Sequence, residues 1–228
     1  MPKIRIVFYL CSLCLCLPTL LYAACGEELE ALRQELVGEE QGVRTAEQAV
    51  RAAKSEFLSR DATLRETMAN PPAGYDQELA RRLVELRRTE VEPKRAMLER
   101  LRAQHEEGRK QWERGHQLLY AQFVQARAAL QEQRIAQDEY CRVREAYVQA
   151  LRLYRDGMRG YCTGMDFYAK ALTAYAQRFL IPYAQGFSDR EQWATLIRQL
   201  ERGDFLQDLL VPMTANAVRS TPPEAPPE

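Results

Sequence analysis

His105 and His116 are the only histidines of the 228-residue sequence, and with the cysteines they are the side chains best suited to metal or covalent chemistry. On one helix, eleven residues would place the two rings on nearly the same face but about 16 Å apart, too far to share a metal ion. No His-Glu-x-x-His or Cys-x-x-Cys spacing occurs, and no glycine-rich phosphate loop follows a strand-like run. No serine sits in a nucleophile elbow. Carboxylates are abundant but alternate with arginine at three- and four-residue spacing, the pattern of ion pairs on the wet face of a helix. Cys141 and Cys162 have no histidine beside them in sequence to sustain a thiolate. The sequence therefore predicts no catalytic residue, no metal and no cofactor, and a chain that is not an enzyme.

One cysteine invites a different chemistry. Residues 1–24 open with Lys3 and Arg5, continue through an apolar run from Ile6 to Leu21, and end on the small residues Ala23 and Ala24. This is the layout of a secretory signal peptide, followed too promptly by a charged helix to read as a membrane span. Leu20-Leu21-Tyr22-Ala23-Ala24-Cys25 resembles a bacterial lipobox, with Tyr22 where a leucine is usual. The resemblance implies that Cys25 is diacylated, becomes the new amino terminus and tethers the chain to a membrane in the periplasm or at the outer membrane. Ordinary cleavage would instead leave Cys25 a plain thiol.

Removal of the leader takes Cys11, Cys14 and Cys16 with it and leaves Cys25, Cys141 and Cys162 in an oxidising compartment. With Cys25 acylated, Cys141 and Cys162 form one candidate disulfide. On a continuous helix they would stand roughly 30 Å apart, whereas a disulfide needs Cα atoms within about 7 Å. Gly157, Gly160 and Gly164 bracket Cys162 and predict a turn that could bring the two together. A bond between chains, or none, remains open.

The elements that must carry these residues are helices. Leu29, Leu36, Val43, Val50, Phe57 and Leu64 repeat every seven residues, with Leu32, Glu39, Ala46, Ala53, Arg60 and Thr67 at the second core position. That 3.5-residue period marks a helix lying along another helix. Asn70-Pro71-Pro72-Ala73-Gly74 breaks it and reads as a hairpin tip, with Asp76 an N-cap and Pro93 a kink or a new start. The heptad resumes at Leu98, His105, Trp112 and Leu119 and continues through Gln133 to Tyr140, Tyr147 and Tyr154. Gly108 and Gly115 on this seam predict close backbone approach. An antiparallel hairpin about Pro72 would set Gly108 beside Val37 and Gly38, Glu39 near His105 and Arg109, and Arg60 near Glu85.

Beyond Tyr161 the chain turns aromatic. Met165, Tyr168, Leu172, Tyr175 and Phe179 recur at helical spacing and read as a core face closed by Pro182 and Gly186. Ser188 with Glu191 forms a capping box for a helix through Trp193, Leu196, Ile197 and Leu200, ended by Gly203. Asp204 caps a short segment, Phe205 to Val211, stopped by Pro212.

The expected fold is all-α: a long antiparallel coiled-coil arm of residues 25–117, a helical-bundle head of residues 118–213 and a proline-rich disordered tail of residues 214–228. The balance of 32 basic against 32 acidic residues excludes the sustained positive field of a nucleic-acid binder. These features predict an exported, lipid-anchored coiled-coil structural or adaptor protein of the bacterial envelope, acting through envelope proteins and the membrane, with homo-oligomers as another use of the heptads. Two alternatives share the outline. One is a periplasmic holdase, similar in its helical arms to Skp-like chaperones; the other is an accessory subunit of a secretion or pilus system.

Overall fold

The computed structural model describes residues 3–70, 77–180 and 190–220, with side chains from Glu28 onward except those of Gln77, Leu79, Ala80, Arg190, Gln192, Trp193 and residues 218–220. It contains α1 (Lys3–Ala69), α2 (Gln77–Leu86), α3 (Glu92–Gln131), α4 (Gln137–Tyr175), α5 (Arg190–Glu201) and α6 (Gln207–Ser220). Single π-helical turns, Arg87–Val91 and Ala176–Leu180, join α2 to α3 and extend α4. No strand occurs among the described residues, so the fold is all-α. The hairpin tip around Pro72, the Pro182 and Gly186 stop and the Ser188 cap lie outside the described residues. Packing divides the chain into two compact units, Met1–Glu40 with His116–Arg155 and Gln41–Gly115 with Asp156–Glu228.

In the first unit the seam residues Leu29, Leu32 and Leu36 of α1 are buried. The facing segments of α3 and α4 are held by stacked rings. Phe123 stacks on Tyr147 with centroids 4.8 Å apart, and His116 stacks on Tyr154 at 4.7 Å with only 7° between planes. Tyr140 and Tyr120 extend the series at 6.1 Å from Phe123 and 5.8 Å from Tyr147. Burial raises the pKa of the Tyr147 hydroxyl, with the positive charge of Arg33 working against it. On the rim, Arg152 pairs with Glu28 and Arg155 with Glu35 at 2.8 Å.

The turn from α3 to α4 is made without glycine or proline. The amide of Gln133 reaches the Leu130 carbonyl at 3.0 Å and that of Arg134 reaches Ala129 at 2.8 Å, the paired bonds of a Schellman motif. Gln133 takes the left-handed position, φ 55°, that glycine usually fills. A side chain there costs about 1 kcal/mol or more. The heptad reading passed straight through this point because nothing in Gln131-Glu132-Gln133-Arg134 punctuates a helix.

The second unit holds the main core. Phe57, Leu64, Leu83, Val91, Leu98 and Leu101 share one buried cluster with Tyr168, Leu172, Tyr175, Phe179, Leu200, Phe205, Leu210 and Met213. Tyr175 is its centre, edge-on to Phe57 at 5.1 Å and to Phe179 and Phe205 at 5.8 Å. The expected arm and head are therefore not separate: residues assigned to each on sequence grounds fill the same core. An amphipathic helix of this kind is stabilised mainly by the face it buries, and α1, α3 and α4 each bury one here.

α4 runs unbroken from Gln137 to Tyr175, so Gly157, Gly160 and Gly164 make no turn. They are seats. A Cβ added to Gly157 would lie 2.5 Å from Cδ1 of Trp112, and one added to Gly164 would lie 2.5 Å from Nε2 of His105. Trp112 and His105 are seven residues apart on α3, as are Gly157 and Gly164 on α4, so two successive heptads drop a ring onto a bare backbone. At Gly160 the same bareness lets Asn216 of α6 donate to the backbone carbonyl at 2.7 Å.

The antiparallel sense of α1 and α3 holds in this unit, with a register about one turn from that expected. The Arg95 guanidinium lies 5.1 Å from the Phe57 ring, and Arg87 reaches Asp61 at 3.4 Å. Arg60 is exposed, and the buried charge is Asp61, also paired with Arg65 at 2.7 Å. The π turn before Pro93 adds one residue to the return helix and so contributes a part of that displacement in register. Glu92 there donates its amide to the carbonyl of Arg87, five residues back. Val37 is 68% exposed and Gly38 has nothing within 4 Å of its Cβ position, so neither packs as a close-approach seat.

Gly203 ends α5 at φ 72° with Gly203 donating to Leu200 and Asp204 to Gln199. α6 does not stop at Pro212 but continues to Ser220, across the first residues expected to be a disordered tail. A proline inside a helix costs about 3 kcal/mol. Leu210, Met213 and Ala217, buried on one face, offset that cost, and Arg178 grips Asp208 in the first turn with both nitrogens at 3.1 and 3.0 Å. That grip holds the Asp208 carboxyl below its ordinary pKa.

Glycine-to-alanine substitutions should separate the two uses of glycine by sign. At Gly115, with open space around it, alanine should stabilise by about 1 kcal/mol. At Gly157 it should destabilise by about 1–3 kcal/mol, because Trp112 must be displaced. Urea unfolding of the two variants measures both; stabilisation at Gly157 would refute the seat.

Candidate functional site

The residues singled out by their chemistry fall in separate places. Cys25 lies in α1, but its side chain is outside the described residues. Cys141 and Cys162 are both thiols outside any disulfide among the described residues, and both are partly exposed. They sit on the one helix α4, some 21 residues and about 30 Å apart, so a disulfide between them within one chain is ruled out. The turn that would have joined them does not exist because the glycines serve packing. Cys162 faces α1, its Sγ 3.6 Å from the Cβ position of Gly42.

The coiled-coil seam is distributed over both units. Leu29, Leu36, Val43, Phe57, Leu64 and Leu98 are buried, while Val50, Trp112 and Leu119 are half-buried. Its apolar residues are thus covered by other helices of the same chain, as Phe57 is by Tyr175 and Arg95.

The histidines are used in two ways. His116 lies in the stack of the first unit, its Nε2 3.5 Å from the Tyr147 hydroxyl. His105 is only 2% exposed, and among the described residues neither ring nitrogen meets full hydrogen-bond geometry, the Met213 backbone being the nearest partner. Burial lowers its pKa below the ordinary histidine value, with the Met213 backbone acting in the opposite direction. The imidazole is held as a flat neutral ring against Gly164. Sequence reasoning placed His105 on the seam correctly but faced it toward Glu39.

The ionisable network of the second unit was not legible from spacing alone. Tyr168 donates to Glu99, which also accepts from Arg102 Nε at 3.0 Å. Burial acts to raise the Glu99 pKa, but these two donors outweigh it and leave the carboxyl below its ordinary value. Burial and the nearby Glu47 charge push the Tyr161 hydroxyl up to about 12, and burial pushes Tyr175 to about 12 despite Arg87. Neutral phenols, a neutral imidazole and paired carboxylates hold helices in register. Among the described residues no three His, Cys, Asp or Glu side chains converge as a metal site, and no helix is long and apolar enough to cross a membrane.

Two outcomes follow from this geometry. Because folded His105 binds a proton less readily than in the unfolded chain, stability is full above about pH 6.5 and should fall as pH drops below it. The urea midpoint should decline from pH 8 to 5.5, and the decline should be smaller in His105→Leu; equal slopes would exclude His105 as a source. Rapid alkylation of the folded protein followed by mass measurement should find Cys141 and Cys162 both modified, and a mass two hydrogens short would contradict the unbroken α4. Comparison of the chain with known protein families, curated proteins and solved structures finds no match, so its functional reading rests on residues and geometry.

Proposed function

We propose that this chain is an exported structural or adaptor protein of the bacterial cell envelope, tethered through an acylated Cys25 and working through protein partners. The observation that carries the reading is the leader of residues 1–24 ending on Cys25, with heptad-patterned α1 beginning to pack by Leu29. An anchor followed directly by a helix that is stiffened by its neighbours suits a spacer or a platform. Ion pairs that join separate helices, such as Arg152 with Glu28 and Arg178 with Asp208, support it indirectly, since they stiffen the packed helices.

Partners would meet the outer faces. Leu58 at 62% exposure and Leu118 at 63% are large apolar side chains left in solvent, one in each unit. The holdase and secretion-subunit alternatives predict different company on those faces: many unfolded outer-membrane polypeptides for the first, components of one machine for the second.

In cells, photoreactive residues at Leu58 and Leu118 should each yield one discrete heavy band on irradiation, while the buried position Leu64 yields none. Labelled palmitate should enter the chain and be lost in Cys25→Ser. A broad ladder of unfolded membrane proteins would overturn the adaptor in favour of a holdase, and absence of label in the parent chain would remove the lipid anchor.

A further inference from the structure

Where α1, α3 and α4 adjoin in the second unit, a groove of about 360 Å³ opens between them. Its floor contains Tyr161 and Met165, 3% and 1% exposed, with the Tyr161 hydroxyl donating to Glu47 at 3.5 Å. Its walls carry Arg51 and Lys54 from α1 and Arg102, Arg109 and Lys110 from α3, against only Glu47 and Glu106. Three positive charges are left over at one concave place in a chain whose overall charge is zero.

The cations are not equally occupied. Arg102 is tied to Glu99 at 3.0 Å and to Glu106, and Arg51 lies 4.0 Å from Glu47. Lys54 and Lys110 form no ion pair within 4 Å among the described residues, although Lys54 feels the charge of Glu99. Arg109 lies over the Tyr161 ring at 5.2 Å, and its buried Nε has no hydrogen-bond partner. Charge-assisted hydrogen bonds from guanidinium and ammonium groups to an oxyanion are roughly twice as strong as neutral ones. Like charges gathered in a concave, low-dielectric site also focus the field on an incoming anion.

We propose that this groove binds a phosphoryl-bearing ligand, with Arg109, Lys110 and Lys54 as the anion contacts and Tyr161 and Met165 as the floor under its less polar part. A dianion fits the surplus charge better than a monocarboxylate. The phosphoryl group can belong to a free phosphorylated small molecule or to a phospholipid headgroup, and the volume suits either. The site is independent of the envelope reading, because it uses no residue of the leader.

The test is thermal unfolding of the full chain in neutral detergent with inorganic phosphate, pyrophosphate or sn-glycerol 3-phosphate added. Pyrophosphate at about 100 times its Kd should raise the melting temperature by about 5 °C. The rise should be lost in Arg109→Gln/Lys110→Gln and retained in the charge-matched pair Arg142→Gln/Lys170→Gln. If the first pair fails to fold, Lys54→Gln/Lys110→Gln leaves the Arg109–Tyr161 contact intact and should lose most of the rise. A stronger response to glycerol 3-phosphate than to pyrophosphate assigns the headgroup source, and the reverse assigns the free metabolite; both support the site. No rise with any probe, or an equal rise in the groove and control variants, overturns it.

Discussion

The contact on which the second unit depends is the seating of two rings, Trp112 and His105, on the bare backbone of Gly157 and Gly164. A glycine in the middle of a helix weakens that helix by about 1 kcal/mol. α4 accepts this at Gly157, Gly160 and Gly164 because tertiary packing, not propensity, stabilises a helix of this length. Two large side chains reach past the place where a Cβ would stand, so α3 and α4 adjoin closely. The same bareness exposes the Gly160 carbonyl to Asn216, which brings α6 onto them and sets the Met213 backbone beside His105. A buried histidine is tolerable under that arrangement only while it is neutral.

A second constraint sits at the other end of the unit, where charge sets register. Asp61 is 4% exposed and pairs with Arg65 and Arg87, and Arg87 extends to Glu92 at 3.0 Å. A buried pair of this kind adds little net stability compared with an apolar replacement, but breaking it leaves a charge stranded. Its effect is to penalise alternatives. A heptad seam can slip by one repeat at modest cost, since leucine meets leucine again. A slip here would strand Asp61 and lift Arg95 from the Phe57 ring.

How much of this was legible follows from the two meanings a residue type can have. Leucine, valine and phenylalanine at seven-residue spacing have one meaning, and the burial of Leu29, Leu36, Val43, Phe57, Leu64 and Leu98 matches it. The stripe Met165, Tyr168, Leu172, Tyr175 and Phe179 is likewise core. Glycine has two meanings, turn and close approach, and at Gly157, Gly160 and Gly164 the turn reading was the wrong one. The deciding signal was present: Gly157 and Gly164 stand seven apart, with Ala150 and Ala171 continuing the series, and a turn has no reason to repeat at heptad spacing. The reversal at Gln133 offered no such signal, because its left-handed residue is neither glycine nor asparagine. At Pro212 local chemistry pointed to a stop, and the buried face of Leu210, Met213 and Ala217 outweighed it. The groove beside Tyr161 was beyond reach for a different reason. Its cations come from two helices, α1 and α3, and heptad spacing within each does not fix which residues of the two stand opposite one another.

The closure of the seam also bears on what the heptads are for. A coiled-coil helix with an uncovered apolar face recruits another chain, and its partner choice is written in that face. Here the face of α1 is covered in cis: Leu29, Leu32 and Leu36 are buried in one unit, and Phe57 and Leu64 share a buried core with Leu98, Tyr168 and Tyr175 in the other. Exchange with a second copy would require opening a core of buried aromatic side chains, each of which contributes about 1.5–3 kcal/mol or more on burial. Recognition on the outer faces needs no such opening. On the adaptor reading proposed above, the buried seam serves as the support, and what the helices hold outward, isolated apolar side chains such as Leu58 and Leu118 and the charged groove between Lys54 and Lys110, is left for recognition.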